Sequence, residues 1–129
     1  MKVFTFRYEK NPIASAMQKM DRAVKTGTPE VHPDEMVCAS YELMNKVMSP
    51  SRLDIFVAIV ENRPESLYEL AQILSKDQSQ VLKDTKTLES LGLVKLVPNK
   101  DGGRERSKPE PLYEKIVFEV TPKRIAKSA

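Results

Sequence analysis

The chain has 129 residues, of which 40% are hydrophobic and 30% charged, a size and composition typical of one soluble globular domain. The formal net charge is +3, no apolar run approaches the ~20 residues that span a bilayer, and the start lacks the apolar stretch of about 7–15 residues of a signal peptide. The single cysteine excludes an internal disulfide, so we expect a cytoplasmic protein without a membrane segment.

Residues 1–34 are predicted to form an N-terminal extension of a strand, a helix and a connector. Aromatic residues alternate with mostly polar ones from Lys2 to Tyr8, which predicts a strand with one aromatic face. Asn11-Pro12 predicts the start of a helix that runs to about Lys25, because proline is tolerated in the first turn. Four apolar residues follow the helical period, and the two methionines among them are expected in a core: Ile13, Met17, Met20 and Val24.

The connector Glu30–Asp34 contains the only histidine, His32, which is expected to be solvated because it lies beside prolines. An extension of this kind could cover the core of the next domain, pair with a second subunit or hold a partner protein. The sequence leaves these three uses open.

Residues 35–122 are predicted to form the main domain. A short strand over 36–40 precedes two helices, from Tyr41 to Met48 and from Pro50 to about Asn62, with Ser40 and Ser49 as N-caps. Apolar side chains at helical spacing are expected to face inward from these helices: Leu43, Met44, Val47, Leu53, Phe56, Val57 and Val60.

The next stretch, Ser66–Val97, predicts a helix, a tight turn, a second helix and a strand. Ser66 with Glu69 forms a capping box for the first helix, and Asp77 caps the second. Gly92 is expected to end the second helix in the left-handed conformation. The buried positions follow the helical period: Leu67, Leu70, Ala71 and Leu74 on the first helix, then Val81, Thr85, Leu88 and Leu91 on the second.

A hairpin is predicted after these helices, with a long, polar, mobile loop over residues 98–111 and a second strand from Tyr113 to Val120. Residues 98–129 carry eight basic and five acidic groups, which accounts for the whole excess of positive charge. The last residues, 123–129, are expected to be a frayed basic tail that contains Lys123, Arg124 and Lys127.

Two short helices followed by a strand are the outline of a winged helix-turn-helix, and several sequence segments support this fold prediction. LYELAQIL, Val81 and TLESLGLVKL resemble the pattern of bacterial and archaeal winged-helix regulators. More narrowly, SPSRLDIFVAI, SLYELAQILSKDQSQVLKDTKTLESLGLVKL and LYEKIVFEV are similar to a small group of prokaryotic DNA-binding proteins distantly related to the MarR and ArsR regulators, over roughly residues 35–120. Some proteins of that group are described as candidate antitoxins, which would add a toxin protein as a partner.

We therefore expect an α+β winged helix-turn-helix with an N-terminal strand-helix extension, acting as a sequence-specific regulator on duplex DNA. The start of the second helix would meet base edges, because glutamine can bond adenine, lysine guanine, and serine a base or a phosphate. A homodimer is expected because one recognition helix covers only a few base pairs. The candidate DNA-binding residues are Gln78, Ser79, Gln80, Lys83, Lys86 and Thr87 on the helix and Lys100, Arg104, Arg106 and Lys108 in the wing.

One feature favours a different class. Lys83 and Lys86 are offset by Asp77, Asp84 and Glu89, so the local sum of charge on the second helix is not positive. The alternative is a winged-helix module that docks on a larger protein assembly through the face around Leu82.

An enzyme is not expected. His32 and Cys38 lack a third orienting group, and with Asp34 and Glu35 they have no recognised metal-binding spacing. Cys38 is predicted to be a small buried hydrophobe, and Gly102-Gly103 a hairpin turn and not a phosphate-binding loop. We therefore predict no cofactor and no metal.

Overall fold

The computed structural model describes residues 2–10, 12–27, 34–101 and 104–120, which combine helices with strands. In these ranges the elements are β1 Val3–Tyr8, α1 Pro12–Thr26, β2 Glu35–Cys38, α2 Tyr41–Val47, α3 Pro50–Asn62, α4 Leu67–Leu74, α5 Gln78–Ser90, β3 Val94–Asp101, β4 Arg104–Pro111 and β5 Lys115–Val120. None of these helices is both long and apolar enough to cross a membrane. The predicted connector with His32, the turn at residues 102 and 103, and the basic tail lie outside the described residues.

The chain divides into two compact units. Among the described residues, the helical unit contains Lys2, Val3 and those between Val47 and Lys115, and the sheet unit contains those between Phe4 and Lys46 together with Ile116–Val120. Each unit therefore combines segments that are distant in sequence.

The sheet unit contains a three-stranded sheet in the order β2-β1-β5. β1 and β2 are parallel, in a register that runs from Thr5 opposite Glu35 to Tyr8 opposite Cys38. The predicted aromatic face of β1 is confirmed, because Phe4 and Phe6 are buried and Phe6 stacks on Phe118 of β5 at 5.4 Å. Cys38 is fully buried, as predicted.

Arg7, on the central strand, joins both of its neighbours. Its Nε donates to Glu119 Oε2 of β5 at 2.9 Å, and its second terminal nitrogen lies 3.1 Å from Glu35 Oε2 of β2. The hydrogen bond to Glu119 raises the pKa of Arg7 above its ordinary value against the opposing effect of burial. The guanidinium therefore stays charged and links three strands.

Helix α1 does not bury Met17 and Met20, so the prediction that these two methionines lie in a core is wrong. Its four apolar residues at helical spacing are exposed to between 64% and 84%: Ile13, Met17, Met20 and Val24. The helix forms over the predicted span, with a left-handed Gly27 directly after it, so the residues present the predicted stripe to solvent.

The helical unit begins with the predicted caps in place. Ser49 Oγ accepts from Arg52 N at 3.3 Å, Ser66 Oγ from Glu69 N at 3.1 Å, and Asp77 Oδ2 from Gln80 N at 3.3 Å. These three local bonds set where α3, α4 and α5 start. The fully buried core of the unit includes Ile55, Ile59, Leu70, Val81, Thr85, Leu88, Leu93 and Val94.

The predicted buried face of α3 is partly wrong. Val57 is 46% exposed, whereas Ile55 and Ile59, which were not predicted to face inward, are fully buried. The run from Ile55 to Val60 is apolar on every side, so helical periodicity could not select one face.

The predicted partner of β3 is also wrong. β3 pairs with β4 and not with the strand at 113–120, and that later strand, β5, lies in the sheet of the other unit. The stretch expected to be a mobile loop therefore forms a hairpin, in which Val94 lies opposite Pro111 and Asp101 opposite Arg104.

The prolines of this stretch occupy positions where a strand can accept them. Leu112 N donates to Leu93 O at 2.9 Å, so the next pair in the ladder, Val94 and Pro111, is not hydrogen-bonded. The pairs Leu96 with Pro109 and Pro98 with Ser107 share this parity. No proline therefore removes a bond from the β3–β4 ladder.

Candidate nucleic-acid interface

The exposed face of α5 begins directly after its cap. Gln78, Ser79 and Gln80 are all exposed, and so are Lys83 and Lys86. The helix therefore displays amide, hydroxyl and ammonium groups along its first turns. Each of these side chains can meet a base edge or a phosphate oxygen.

Thr87 differs from the other helix candidates. Its side chain is half-buried, and its Oγ1 donates to Lys83 O at 3.2 Å. The hydroxyl proton is thus used within α5. The oxygen can still accept a bond, but Thr87 is less available than the residues before it.

Asp84 belongs to α5 but does not add its negative charge to the exposed face of the helix. It is 4% exposed, and its Oδ2 accepts from Ser51 Oγ at 3.0 Å and from Gln80 Nε2 at 3.1 Å. Its Oδ1 lies 3.5 Å from Arg52 Nε of α3. The Asp84 carboxylate therefore points into the helical unit and pairs with Arg52. Its negative charge does not lie on the exposed face beside Lys83.

A second acidic residue of α5 is also used internally. The carboxylate of Glu89 accepts from the backbone N–H of Leu96 on β3 at 2.9 Å. This N–H points away from β4, because Leu96 belongs to the pairs that are not hydrogen-bonded. Glu89 thus joins the end of α5 to the hairpin.

The turn between α4 and α5 is fixed to α3. Lys76 Nζ donates to Ser51 Oγ at 3.3 Å and lies 3.9 Å from Asp54 Oδ2. Because Ser51 also donates to Asp84, one hydroxyl connects the turn, α3 and α5. This network holds the exposed face of α5 in a fixed orientation.

A cleft of about 570 Å³ adjoins the start of α5. It is bounded by the start of α4, the first turns of α5 and the middle of β4. Its walls combine apolar carbon with hydrogen-bond donors, namely Ser66, Leu67, Tyr68, Gln78, Leu82, Arg106 and Ser107. The structure therefore brings two predicted residues, Gln78 and Arg106, to the same cleft.

The hairpin candidates are not equivalent. Arg106 is exposed, whereas Lys108 is half-buried and its Nζ lies 3.5 Å from Glu65 Oε2. Glu65 also accepts from Asn99 Nδ2 through its backbone and side-chain oxygens, both at 3.2 Å. Glu65 thus holds both hairpin strands, and Lys108 has a partner already. The side chains of Lys100 and Arg104 lie outside the described residues.

Tyr68 is a candidate that the sequence analysis missed. Its ring is 57% exposed at the cleft, and its hydroxyl oxygen accepts from Gln72 Nε2 at 2.9 Å. A tyrosine hydroxyl that accepts in this way can still donate its own proton to an incoming anion. The sequence contains a pattern that could have identified Tyr68, because Tyr68 and Gln72 are one helical turn apart just after the Ser66 cap and so lie on the same face of α4.

Comparison with protein families identifies a family whose model matches this chain. The model of the HVO_A0114 family matches residues 47–118, which is more than half of the 129 residues. The matched stretch contains α3, α4, α5, the β3–β4 hairpin and most of β5. Comparison with curated proteins finds none that matches the chain.

Proposed function

We propose that this chain, which belongs to the HVO_A0114 family, binds duplex DNA as a winged helix-turn-helix transcriptional regulator. In this proposal α5 enters the major groove, α4 crosses the backbone, and the β3–β4 hairpin is the wing. The observation that carries it is the inward pairing of Asp84 with Arg52, which leaves Lys83 and Lys86 as the exposed charges in the middle of α5.

The cleft supports a particular way of docking. Gln78 and Leu82 come from α5, so an amide and a methyl-bearing side chain would face the bases, where leucine can contact the methyl group of thymine. Tyr68 and Arg106 come from the two flanking elements and would donate to phosphate oxygens on either side of the groove.

We expect two copies to bind a palindromic site, because a two-fold axis doubles the contacts that one α5 can make. The resemblance to candidate antitoxins adds a narrower hypothesis, in which the regulator represses its own gene together with that of a bound toxin. This hypothesis predicts a protein complex in addition to DNA binding.

The test is a titration of the full chain with a labelled random-sequence duplex at about 50 mM and about 200 mM salt, followed by fluorescence anisotropy. A protein that neutralises phosphates loses affinity steeply as salt rises, with a slope of about −0.9 per contact. Arg106→Gln should reduce that slope, whereas Lys10→Gln, which removes an exposed charge from the other unit, should not. No binding at either salt concentration would refute the proposal and favour the protein-docking module.

A further inference from the structure

The four apolar residues of α1 are the most exposed large hydrophobic side chains in the described part of the chain. Ile13, Met17, Met20 and Val24 are exposed to 73%, 64%, 69% and 84%, and the next value is 57%, for Tyr68. A 15-residue helix is marginal by itself in water, and such helices are normally stabilised by packing of their apolar face. An exposed apolar stripe of this kind marks a surface for contact with a partner.

The spacing of the stripe identifies the kind of surface that fits it. The four residues are separated by four, three and four positions, which is the repeat of the a and d positions of a coiled coil over two heptads. In a coiled coil each such side chain inserts between four residues of the facing helix, which in a homodimer is a second copy of the same helix. The stripe is thus complementary to a second copy of itself.

The polar residues of α1 agree with that assignment. Gln18, Arg22 and Lys25 fall at the outer b and f positions, away from a partner helix. Asp21 falls beside the stripe, but its carboxylate lies 3.1 Å from Lys25 Nζ one turn later in the same helix. Two copies can therefore approach without placing like charges against each other.

Small residues lie beside the apolar stripe of α1. Ala16 and Ala23 fall at the g positions beside the stripe, where short side chains let two helix axes come close. A helix that lies in a membrane surface normally presents tryptophan, phenylalanine or leucine, and the exposed stripe of α1 contains none of them. The composition favours a protein partner.

We infer that α1 is a self-association surface and that two copies of this chain pair through Ile13, Met17, Met20 and Val24 as a two-helix coiled coil. The pairing would supply the two-fold axis that a palindromic DNA site needs. It does not rest on DNA binding, because the stripe lies on a helix of the sheet unit and contains none of the candidate DNA contacts.

The experiment is sedimentation equilibrium of the full chain without DNA, over a wide range of protein concentration. The native protein should approach twice its 14.6 kDa as concentration rises. Met17→Glu with Met20→Glu, and Met17→Lys with Met20→Lys, should each give a monomer whose circular dichroism falls at most by the signal of α1, because these side chains are exposed in the single chain and the rest of the fold does not depend on them. An equimolar mixture of the two variants should restore the pair through opposite charges.

Val57→Glu is the matched control, because Val57 is an exposed apolar residue of α3 in the other unit, and its mass should equal that of the native protein. A native chain that stays monomeric, charged variants that still pair, or a mixture that stays monomeric would overturn the inference. Sedimentation of the native monomer with phosphatidylcholine–phosphatidylserine vesicles would assign the stripe to a membrane surface instead. Since DNA is absent, none of these results depends on whether the chain binds a duplex.

Discussion

Asp84 on α5 and Arg52 on α3 face each other, with Oδ1 3.5 Å from Nε, on the side of α5 that also buries Val81, Thr85 and Leu88. Lys83 lies about 100° round the helix from Asp84, on the side away from Thr85, and is exposed. The stability of the helical unit and the charge of its exposed face therefore depend on the same contact. Substitution of Asp84 should affect both.

We expect Asp84→Ala to lower the free energy of unfolding by about 2–4 kcal/mol, because it removes the carboxylate and leaves Arg52 partly buried without this partner. The loss should fall below that of a fully buried pair, since the Arg52 side chain remains 23% exposed. Urea denaturation measures it. Asp54→Ala, at a side chain that is 67% exposed, should change the free energy by less than about 1 kcal/mol. Equal losses for the two variants would contradict the structural role of Asp84.

The proposed docking predicts different effects for Gln80 and Arg106. Gln80→Ala should relax sequence preference, because an amide that pairs with adenine discriminates by about 1–3 kcal/mol. Arg106→Ala should weaken all duplexes alike and reduce the salt slope by about 0.9. Competition between selected and random duplexes distinguishes the two outcomes. If neither variant altered binding, the docking pose would be wrong even with DNA as the ligand.

Tyr68→Phe tests the contact that the structure added to the set. The ring and its packing remain, and only the hydroxyl that could donate to phosphate is lost, so affinity for every duplex should fall by about 1 kcal/mol. The free energy of unfolding should change little, because the bond to Gln72 is exposed. Gln72→Ala is the control that removes the same internal bond and keeps the hydroxyl. An unchanged affinity for Tyr68→Phe would remove Tyr68 from the interface.

Features set by neighbours in sequence were predicted well. The caps at Ser49, Ser66 and Asp77 each join residues three positions apart, so local chemistry is enough to locate them. The left-handed Gly92 after α5 follows from the same kind of local rule. The starts and ends of the central helices were therefore available from the sequence.

Features that depend on contacts between residues distant in the chain could not be predicted from the sequence. The sequence sets Asp84 against the lysines of α5 because its partner Arg52 is 32 positions away in the chain and cannot be recognised from local spacing. The alternation of the strand predicted from Tyr113 to Val120 does not say which sheet the strand joins, and hydrogen bonding joins it to β1 and not to β3. The spacing of the α1 stripe was recognised, but helical periodicity does not show whether a face is covered by the same chain.

Cys38 gives the protein a dependence on pH that can be measured. It is fully buried on β2, and burial raises the pKa of its thiol above the ordinary value by disfavouring the thiolate. In the unfolded chain the thiol ionises near pH 8.5, so above that pH the unfolded state binds fewer protons than the folded one, and the free energy of unfolding should fall until the raised folded pKa is reached.

Below that window the thiol should contribute no pH dependence, because it is protonated in both states. Chemical denaturation from pH 7 to pH 10 measures the slope, and Cys38→Ala is the control, since it should be less stable throughout but lose this part of the decline above pH 8.5. The folded protein should also resist iodoacetamide at neutral pH and react once unfolded in urea, because the thiolate is the nucleophile. Rapid alkylation of the folded chain, or identical slopes for the two proteins, would show that the thiol is accessible to solvent.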